Sequence, residues 1–333
     1  MKLAINGLGR IGRLVLRHLA RVPELEIVAV NDLTDARTLA HLIRFDSVHG
    51  RADFPVTSEG ETLILAGRRI PVFRQGNPGE LPFGALGAEL VLECTGHFTS
   101  HAAASAHLRE VVARVLISAP SEDADRTLVM GVNEATFVPA RDRILSAASC
   151  TTNGLAIMAK VLDDAFGLDY GLMTAVHSYT SDQNILDLPH EDLRRARAAS
   201  MSMIPTTTGA VQAIDLVLPH LAGRIDGIAV RVPTPDVSLT DFTVLLKRSV
   251  TRDEVNAAFT SAALGPLRGY LEVLQDELVS TDLVGQEASC LFDPFLTKVM
   301  DGTMVKVHGW YDNEWGYAAR MRDLSLLLLK GSR

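Results

Sequence analysis

Lys2-Leu-Ala-Ile-Asn6-Gly7-Leu-Gly9-Arg-Ile-Gly12 joins a short apolar run to three glycines, and Leu14, Val15, Arg17, His18 and Leu19 carry it on as a helix. The order is strand, glycine turn, helix. The first glycine permits the tight turn, the second lets a pyrophosphate approach the backbone, and the third allows helix to pack closely on strand. A lone G-x-G-x-x-G is weak, so its neighbours decide. Ile27-Val-Ala-Val-Asn31 reads as a second apolar strand, and Asp32 follows it 20 residues after Gly12, where an acid binds adenosine ribose hydroxyls. An aspartate there repels a 2′-phosphate, so NAD is expected over NADP.

The alternation continues outward. Leu90-Val-Leu-Glu-Cys94 and Arg114-Val-Leu-Ile-Ser118 are further apolar strands, separated by an alanine-rich helix through residues 101 to 108. Thr34 can cap a helix from Asp35 to about Phe45, and Thr62-Leu-Ile-Leu-Ala66, Gly67 and Ile70-Pro-Val-Phe73 read as a hairpin added to the nucleotide fold. Past residue 150 the strands lengthen and alternate, as in Leu172–His177, Ile225–Val232, Leu239–Leu246 and Met304–Trp310, which predicts a mostly antiparallel sheet with one covered face. Asp253 to Ala262 reads as a helix behind Thr251.

The fold class expected is α/β: a Rossmann-type dinucleotide-binding domain over residues 1–149, completed by a carboxyl-terminal helix at 314–330, plus an α+β catalytic domain over 150–313. No flexible linker separates them. A chain of 333 residues is long for one ordinary core, which agrees with two domains.

Composition narrows the function. Apolar residues make up 47% and charged residues 22%, and no apolar run approaches the ~18 residues of a membrane span. The amino end leads straight into a strand without a signal-peptide pattern, so the cytoplasm is the expected location. A net charge of −8 argues against nucleic acid as the main partner. Cys94, Cys150 and Cys290 are an odd number at wide spacings, which argues against a disulfide framework and a zinc site. Cys94 and Cys290 read as core thiols.

Cys150 differs. Ser146-Ala-Ala-Ser149-Cys150-Thr-Thr-Asn-Gly-Leu155 places it directly behind a good cap residue and ahead of a helical run with Leu155, Met158, Ala159 and Leu162 on one face. A helix start favours a thiolate by ~0.3–1 kcal/mol, too little to ionise a thiol of pKa near ~8.5 at neutral pH. A partner is needed. His177 closes an apolar strand before the polar stretch Ser178-Tyr-Thr-Ser-Asp-Gln183, which makes it the best candidate. Thr206-Thr207-Thr208-Gly209 before a new helix is a plausible phosphate seat, and Arg231 could hold a second anion. Glu191-Asp-Leu-Arg194-Arg195-Ala-Arg197 is open to three readings: a solvated face, an anion site or an intersubunit salt link.

Taken together, Ile5–Arg13, Ser149-Cys-Thr-Thr-Asn153, His177-Ser-Tyr-Thr180, Asp192–Arg197, Ile204–Gly209, Arg231-Val-Pro-Thr234 and Trp310-Tyr-Asp-Asn-Glu314 resemble the phosphorylating, NAD-dependent, bacterial-type glyceraldehyde-3-phosphate dehydrogenases over nearly the whole chain. The resemblance implies reversible oxidative phosphorylation of glyceraldehyde 3-phosphate to 1,3-bisphosphoglycerate, a step of glycolysis and gluconeogenesis. It passes through a thiohemiacetal and a thioester on Cys150, with His177 as acid and base. It further implies that Ser149, Thr151, Thr208, Gly209 and Arg195 hold the attacking phosphate, and Thr180 and Arg231 the substrate phosphate. Gly7, Gly9, Gly12, Arg10, Ile11, Asp32, Ser118 and Asn313 would contact NAD, with Leu188 and Pro189 in a loop approaching a neighbouring subunit. A homotetramer is implied as well.

The chain also departs from that pattern. Gly154 stands where the family commonly has a second cysteine, Gly76-Asn77 where many members have an arginine near the adenine, and Asp236 where an asparagine is frequent. Two rival readings share the fold: an erythrose-4-phosphate dehydrogenase, usually without need of phosphate, and a non-catalytic NAD-responsive regulator. The intact Thr208-Gly209 seat favours the first reading over the former. The joint presence of Cys150, His177 and two anion sites favours it over the latter.

Overall fold

The computed structural model describes residues 1–330, which form two compact units. The first comprises Met1–Leu128, Ala135–Ala148 and the chain from Ala318 onward; the second comprises Val129–Glu134 and Ser149–Tyr317.

The first unit is built on a nine-stranded sheet. Its spatial order is Arg126–Thr127, Ile144–Ser146, Arg114–Ile117, Leu90–Glu93, Lys2–Asn6, Glu26–Asn31, Arg68–Phe73, Thr62–Leu65 and Val56–Glu59. The seven strands from Arg126–Thr127 to Arg68–Phe73 pair in parallel. Leu3, Ala4, Ile5, Val91, Leu92, Val115, Leu116 and Ile117 are sealed from solvent, as continuous apolar runs in a sheet covered on both faces require. The glycine turn leads into the helix Arg10–Leu19 with Gly9 at its cap. The next helix, Ala36–Arg44, is capped by Asp35, whose carboxylate accepts from the Thr38 N–H at 2.9 Å, one residue beyond the threonine expected to cap it. An ionised acid is the stronger cap, and it suits the positive end of the helix.

The hairpin forms at Ala66-Gly67, both with positive φ, the requirement of a tight two-residue turn. Its second strand is not an appendage, because Arg68–Phe73 also pairs in parallel with Glu26–Asn31. The alanine-rich segment is shorter as an α-helix than expected. It runs His101–Ala104 and tightens into a 3-10 turn at Ser105–His107.

The second unit carries an eight-stranded sheet in which Ile204–Thr206, Ile225–Val232, Leu168–Ser178, Ser238–Leu246, Met304–Tyr311, Cys290–Phe292 and Leu271–Val273 follow one another, with Lys298–Met300 also on Met304–Tyr311. Most pairs are antiparallel, but Leu168–Ser178 runs parallel to Ile225–Val232. Strict alternation in Ser238–Leu246 buries Phe242, Val244 and Leu246 on one face. The 17-residue helix Cys150–Phe166 packs against that sheet and is buried nearly all round, with Leu155, Ala156, Ile157, Met158 and Ala159 fully enclosed. Leu155→Ala there would cost about 2–5 kcal/mol. The helix Arg252–Leu264 starts from a complete capping box between Thr251 and Glu254.

Candidate active site

The second unit brings together the groups expected to react. Ser149 caps the Cys150 helix, its hydroxyl accepting from the Thr152 N–H at 3.0 Å, and the Asn153 amide donates to the Ser149 carbonyl at 2.9 Å. Ala148, just ahead, has φ of 56°, a left-handed conformation that an alanine rarely adopts and that aims the chain into the helix. Cys150 is thereby held at the first helical position, half-buried.

His177 reaches it from the sheet. Cys150 Sγ lies 3.5 Å from His177 Nε2. His177 Nδ1 lies 2.7 Å from the Ser178 carbonyl oxygen; with Nδ1–H donating to that oxygen, Nε2 turns its lone pair toward the thiol. The parallel register pairs His177 with Arg231, so the strand geometry sets the guanidinium beside the imidazole. Arg231 Nη1 donates to the Ser178 oxygen at 3.1 Å and sits 2.9 Å from Nδ1. Burial and the charge of Arg231 pull the His177 pKa down to about 3. Burial raises the Cys150 thiol, opposed by Arg231 and by hydrogen bonds at Thr151. Cys94 and Cys290, buried without a cation, are pushed up to about 12.

Of the arginines in the charged cluster, Arg195 is the one turned inward. Its Nε donates to the Thr206 hydroxyl at 3.0 Å, Nη1 to Asp182 at 2.6 Å and Nη2 to the Thr207 carbonyl at 3.4 Å, and its charge reaches both His177 and Arg231. Arg197 instead pairs with Asp187 at the surface. Thr208 and Gly209 stand at the start of the helix Ala210–Val217, where the Thr208 hydroxyl accepts from the Ala210 N–H. Thr180 lies in the loop behind His177, and Leu188 is exposed in the same long loop, ahead of Pro189. Asn313 is buried, and its Oδ1 accepts from the Ser178 and Ser238 hydroxyls, both at 2.8 Å, leaving the NH2 end to be presented.

Sequence reasoning overlooked Tyr311, Ser178 and Ser238. Tyr311 is buried with its hydroxyl 2.8 Å from that of Thr151 and its ring edge-on to His177. The stretch Trp310–Glu314 signalled its neighbourhood, but no spacing pairs residue 151 with residue 311. Gly154 packs tightly: a Cβ there would meet the Ser289 carbonyl at 2.9 Å. The helix starts at Cys150, four residues ahead of this glycine. Asp236 is buried beside Asp312, and burial together with the charges of Asp312 and Glu314 raises its carboxyl far above the usual range.

The nucleotide-type residues gather in the first unit. Asn6, Gly7, Gly9, Asn31, Asp32, Leu33, with Gly76 and Thr95 opposite, line a cavity of about 260 Å3. A side chain would not fit at two of the glycines: a Cβ on Gly12 would lie 2.0 Å from the Gly7 oxygen, and one on Gly7 would strike the Thr95 backbone. Gly9 opens to free space, so a ligand can touch its backbone. Asp32 is held by N–H groups of Leu8 and Thr34, at 2.8 and 2.9 Å, one on each oxygen. This cradle fits the adenosine ribose and pyrophosphate of a dinucleotide. Ile11 follows in the first turn of the helix, while the Arg10 guanidinium is committed to Asp46. The Ser118 N–H is bound to the Glu93 carbonyl, and its side chain bonds the Cys94 thiol.

Known proteins resemble this chain over nearly its whole length. Residues 1–101 match the model of the glyceraldehyde 3-phosphate dehydrogenase NAD binding domain, and residues 149–313 match that of the C-terminal domain of the same family. The chain is 52% identical over 329 residues to glyceraldehyde-3-phosphate dehydrogenase 2 of Streptomyces avermitilis, covering 98% of both chains. It is 52% identical to the Geobacillus stearothermophilus glyceraldehyde-3-phosphate dehydrogenase over 98% of this chain and 97% of that one, and 52% identical to glyceraldehyde-3-phosphate dehydrogenase 1 of Bacillus subtilis over 99% and 98%. The chain belongs to the glyceraldehyde-3-phosphate dehydrogenase family.

Proposed function

We propose that this chain is an NAD-dependent, phosphorylating glyceraldehyde-3-phosphate dehydrogenase in which Cys150 is the nucleophile and His177 the acid and base. The observation that carries the reading is Nε2 of His177 facing the Cys150 sulfur at 3.5 Å, at a capped helix start with two arginines nearby. His177 takes the thiol proton, and the thiolate attacks the aldehyde carbon, forming a C–S bond. The imidazolium returns a proton to the developing alkoxide, giving a thiohemiacetal on Cys150. NAD, when bound, supplies the hydride acceptor. As hydride leaves the carbon, His177 removes the hydroxyl proton and a thioester remains. Inorganic phosphate then attacks the thioester carbonyl, the C–S bond breaks, and Cys150 leaves as thiolate with the acyl phosphate released.

The residues divide by charge and position. Ser149, Thr151, Thr208, Gly209 and Arg195 hold the attacking phosphate, and Thr180 with Arg231 holds the substrate phosphate. NAD is contacted by Gly7, Gly9, Arg10, Ile11, Gly12, Asp32 and Ser118, and by Asn313, whose presented NH2 suits a carboxamide oxygen. Leu188 and Pro189 serve a neighbouring subunit. A homotetramer is supported by the open face of the second sheet, where Tyr170, Leu172, Ile228, Leu245 and Met304 are 41 to 67% exposed, more apolar surface than a lone subunit favours. Among the described residues no helix is long and apolar enough to cross a membrane. The cytoplasm, where phosphorylated trioses and NAD are available together, is the proposed location.

The test is NADH formation with glyceraldehyde 3-phosphate, with and without phosphate, beside erythrose 4-phosphate. Fast turnover that requires phosphate and prefers the triose is expected. Indifference to phosphate, or preference for the tetrose, would defeat the reading.

A further inference from the structure

Across the carboxyl ends of four neighbouring strands in the first unit runs a hydrogen-bonded row of side chains that ends on the backbone of Gln75. The strands stand in the order Leu90–Glu93, Lys2–Asn6, Glu26–Asn31 and Arg68–Phe73, and Glu93, Asn6, Asn31 and Gln75 supply the row from their ends or just beyond. His107 begins it, with Nε2 3.0 Å from Glu93 Oε2. The Asn6 amide donates to the same oxygen at 2.6 Å, and the Asn31 amide donates to Asn6 Oδ1 at 2.8 Å. Asn31 and Gln75 then exchange two bonds, Nδ2 to the Gln75 carbonyl and the Gln75 N–H to Oδ1, both at 2.9 Å. The second oxygen of Glu93 accepts from the N–H and hydroxyl of Thr95.

All four of Asn6, Asn31, Glu93 and His107 are at most 4% exposed, so the row removes a carboxylate and two amides from water. Burying such groups is costly even when they are fully bonded, and apolar residues of similar volume often serve stability as well. What an intact polar row adds is a single geometry. That geometry belongs to the cavity. Asn6, Asn31, Gln75 and Thr95 line it, whereas Glu93 and His107 stand outside its wall. Asn31 also precedes Asp32 in the chain, and its carbonyl accepts the Gly7 N–H at 2.8 Å, tying the glycine turn to the ribose-facing acid. His107 is fixed in turn by stacking on Phe83, the ring planes inclined by 13°.

We propose that Glu93 and His107 are positioning residues for the adenosine half of the dinucleotide: without touching it, they hold Asn6 and Asn31, and through them the glycine turn and Asp32, in register for the ribose. The proposal rests on the reading of this cavity as the adenosine pocket. Displacing binding groups by about 1 Å can cost up to about 10²-fold, and a shift transmitted through one amide should cost about tenfold.

The experiment measures ADP-ribose and NAD affinity by calorimetry, and steady-state kinetics, on the full-length protein. His107→Leu should weaken ADP-ribose and raise the KM for NAD about tenfold while kcat at saturating NAD and the KM for the aldehyde stay within about twofold. His107→Gln, which keeps a side-chain donor, should recover most of the loss. Parent affinity in folded His107→Leu, or kcat falling in step with affinity, would overturn the proposal. Should His107→Leu not fold, the isosteric Glu93→Gln carries the same expectation at a smaller size, and parent affinity there counts against the proposal equally. Asp32→Ala keeps the two readings apart. If it leaves ADP-ribose binding unchanged, the pocket itself is misassigned; if it weakens binding while the His107 and Glu93 variants do not, only the positioning proposal falls.

Discussion

His177→Asn removes the base from the thiol while keeping a polar side chain of similar volume. In the folded protein burial favours the neutral form of each partner, raising the thiol and lowering the imidazole to about 3. Proton transfer from sulfur to Nε2 creates opposite charges 3.5 Å apart. At an effective dielectric of ~20 their attraction is about 4–5 kcal/mol, or about three pK units, which offsets much of that burial. Arg231 stabilises the thiolate and opposes the imidazolium, so its two effects largely cancel within the pair. The helix start adds only ~0.3–1 kcal/mol. The imidazole is therefore the largest single support for the thiolate. Iodoacetamide alkylation of Cys150, followed as a rate between about pH 5 and pH 10, should fall about 10²–10³-fold at neutral pH in His177→Asn and then climb tenfold per pH unit like an ordinary thiol. An alkylation rate within about threefold of the parent, with the same pH midpoint, would show that Arg231 and the helix start hold the thiolate without His177.

Cys150→Ser should abolish turnover while leaving NAD binding measurable by calorimetry, and retained dehydrogenase activity would refute the nucleophile assignment. Ser149→Ala removes the acceptor for the Thr152 N–H and should cost about 1 kcal/mol in urea unfolding together with slower alkylation of Cys150; unchanged values in both would dismiss the cap. Gly154→Ala gains about 1 kcal/mol of helix propensity but drives a Cβ to 2.9 Å from the Ser289 oxygen, an overpacking cost of about 1–3 kcal/mol, so net destabilisation is expected and a stabilised variant would show that the segment at Ser289 yields freely. Burial alone would raise Asp46, but Arg10 and the N–H groups of His49 and Val48 outweigh it and hold it at about 2 against an unfolded value of 3.8. A depressed acid stabilises above its unfolded pKa and loses that support as pH falls through the folded one. About 2 kcal/mol should thus vanish between about pH 4 and pH 2 and be missing from Asp46→Asn, as urea midpoints against pH would reveal.

What the sequence made legible was local. The strand, glycine turn and helix at Lys2–Leu19 and the capped cysteine at Ser149-Cys150 rest on neighbours within a few residues, where spacing and cap chemistry act directly. Errors entered where two local signals competed, as at Thr34 and Asp35, or where a strand had two partners, as Arg68–Phe73 does. The rest depended on register between distant strands. Nothing in the spacing of residues 178, 238 and 313 says that two hydroxyls meet one amide oxygen, nor that Glu93 and His107 end a row reaching Gln75. Such bonds need the sheet order before they can be written down.

Register also explains why one arginine acts on two groups at once. Because His177 and Arg231 are direct partners on parallel strands, the sheet holds their backbones side by side, and the guanidinium lies 2.9 Å from the imidazole. In the absence of an anion, burial and the guanidinium keep His177 neutral and at a low pKa, too weak a base to draw a proton readily from a hydroxyl. An anionic phosphate seated on Arg231 cancels part of that field, and the pKa of the imidazole must rise by the same free energy with which its protonation strengthens phosphate binding. With the substrate phosphate on Arg231 as proposed, its binding and the strength of the base are linked through neighbouring strands. The base gains strength as its substrate arrives, which favours removal of the thiohemiacetal hydroxyl proton in the loaded site.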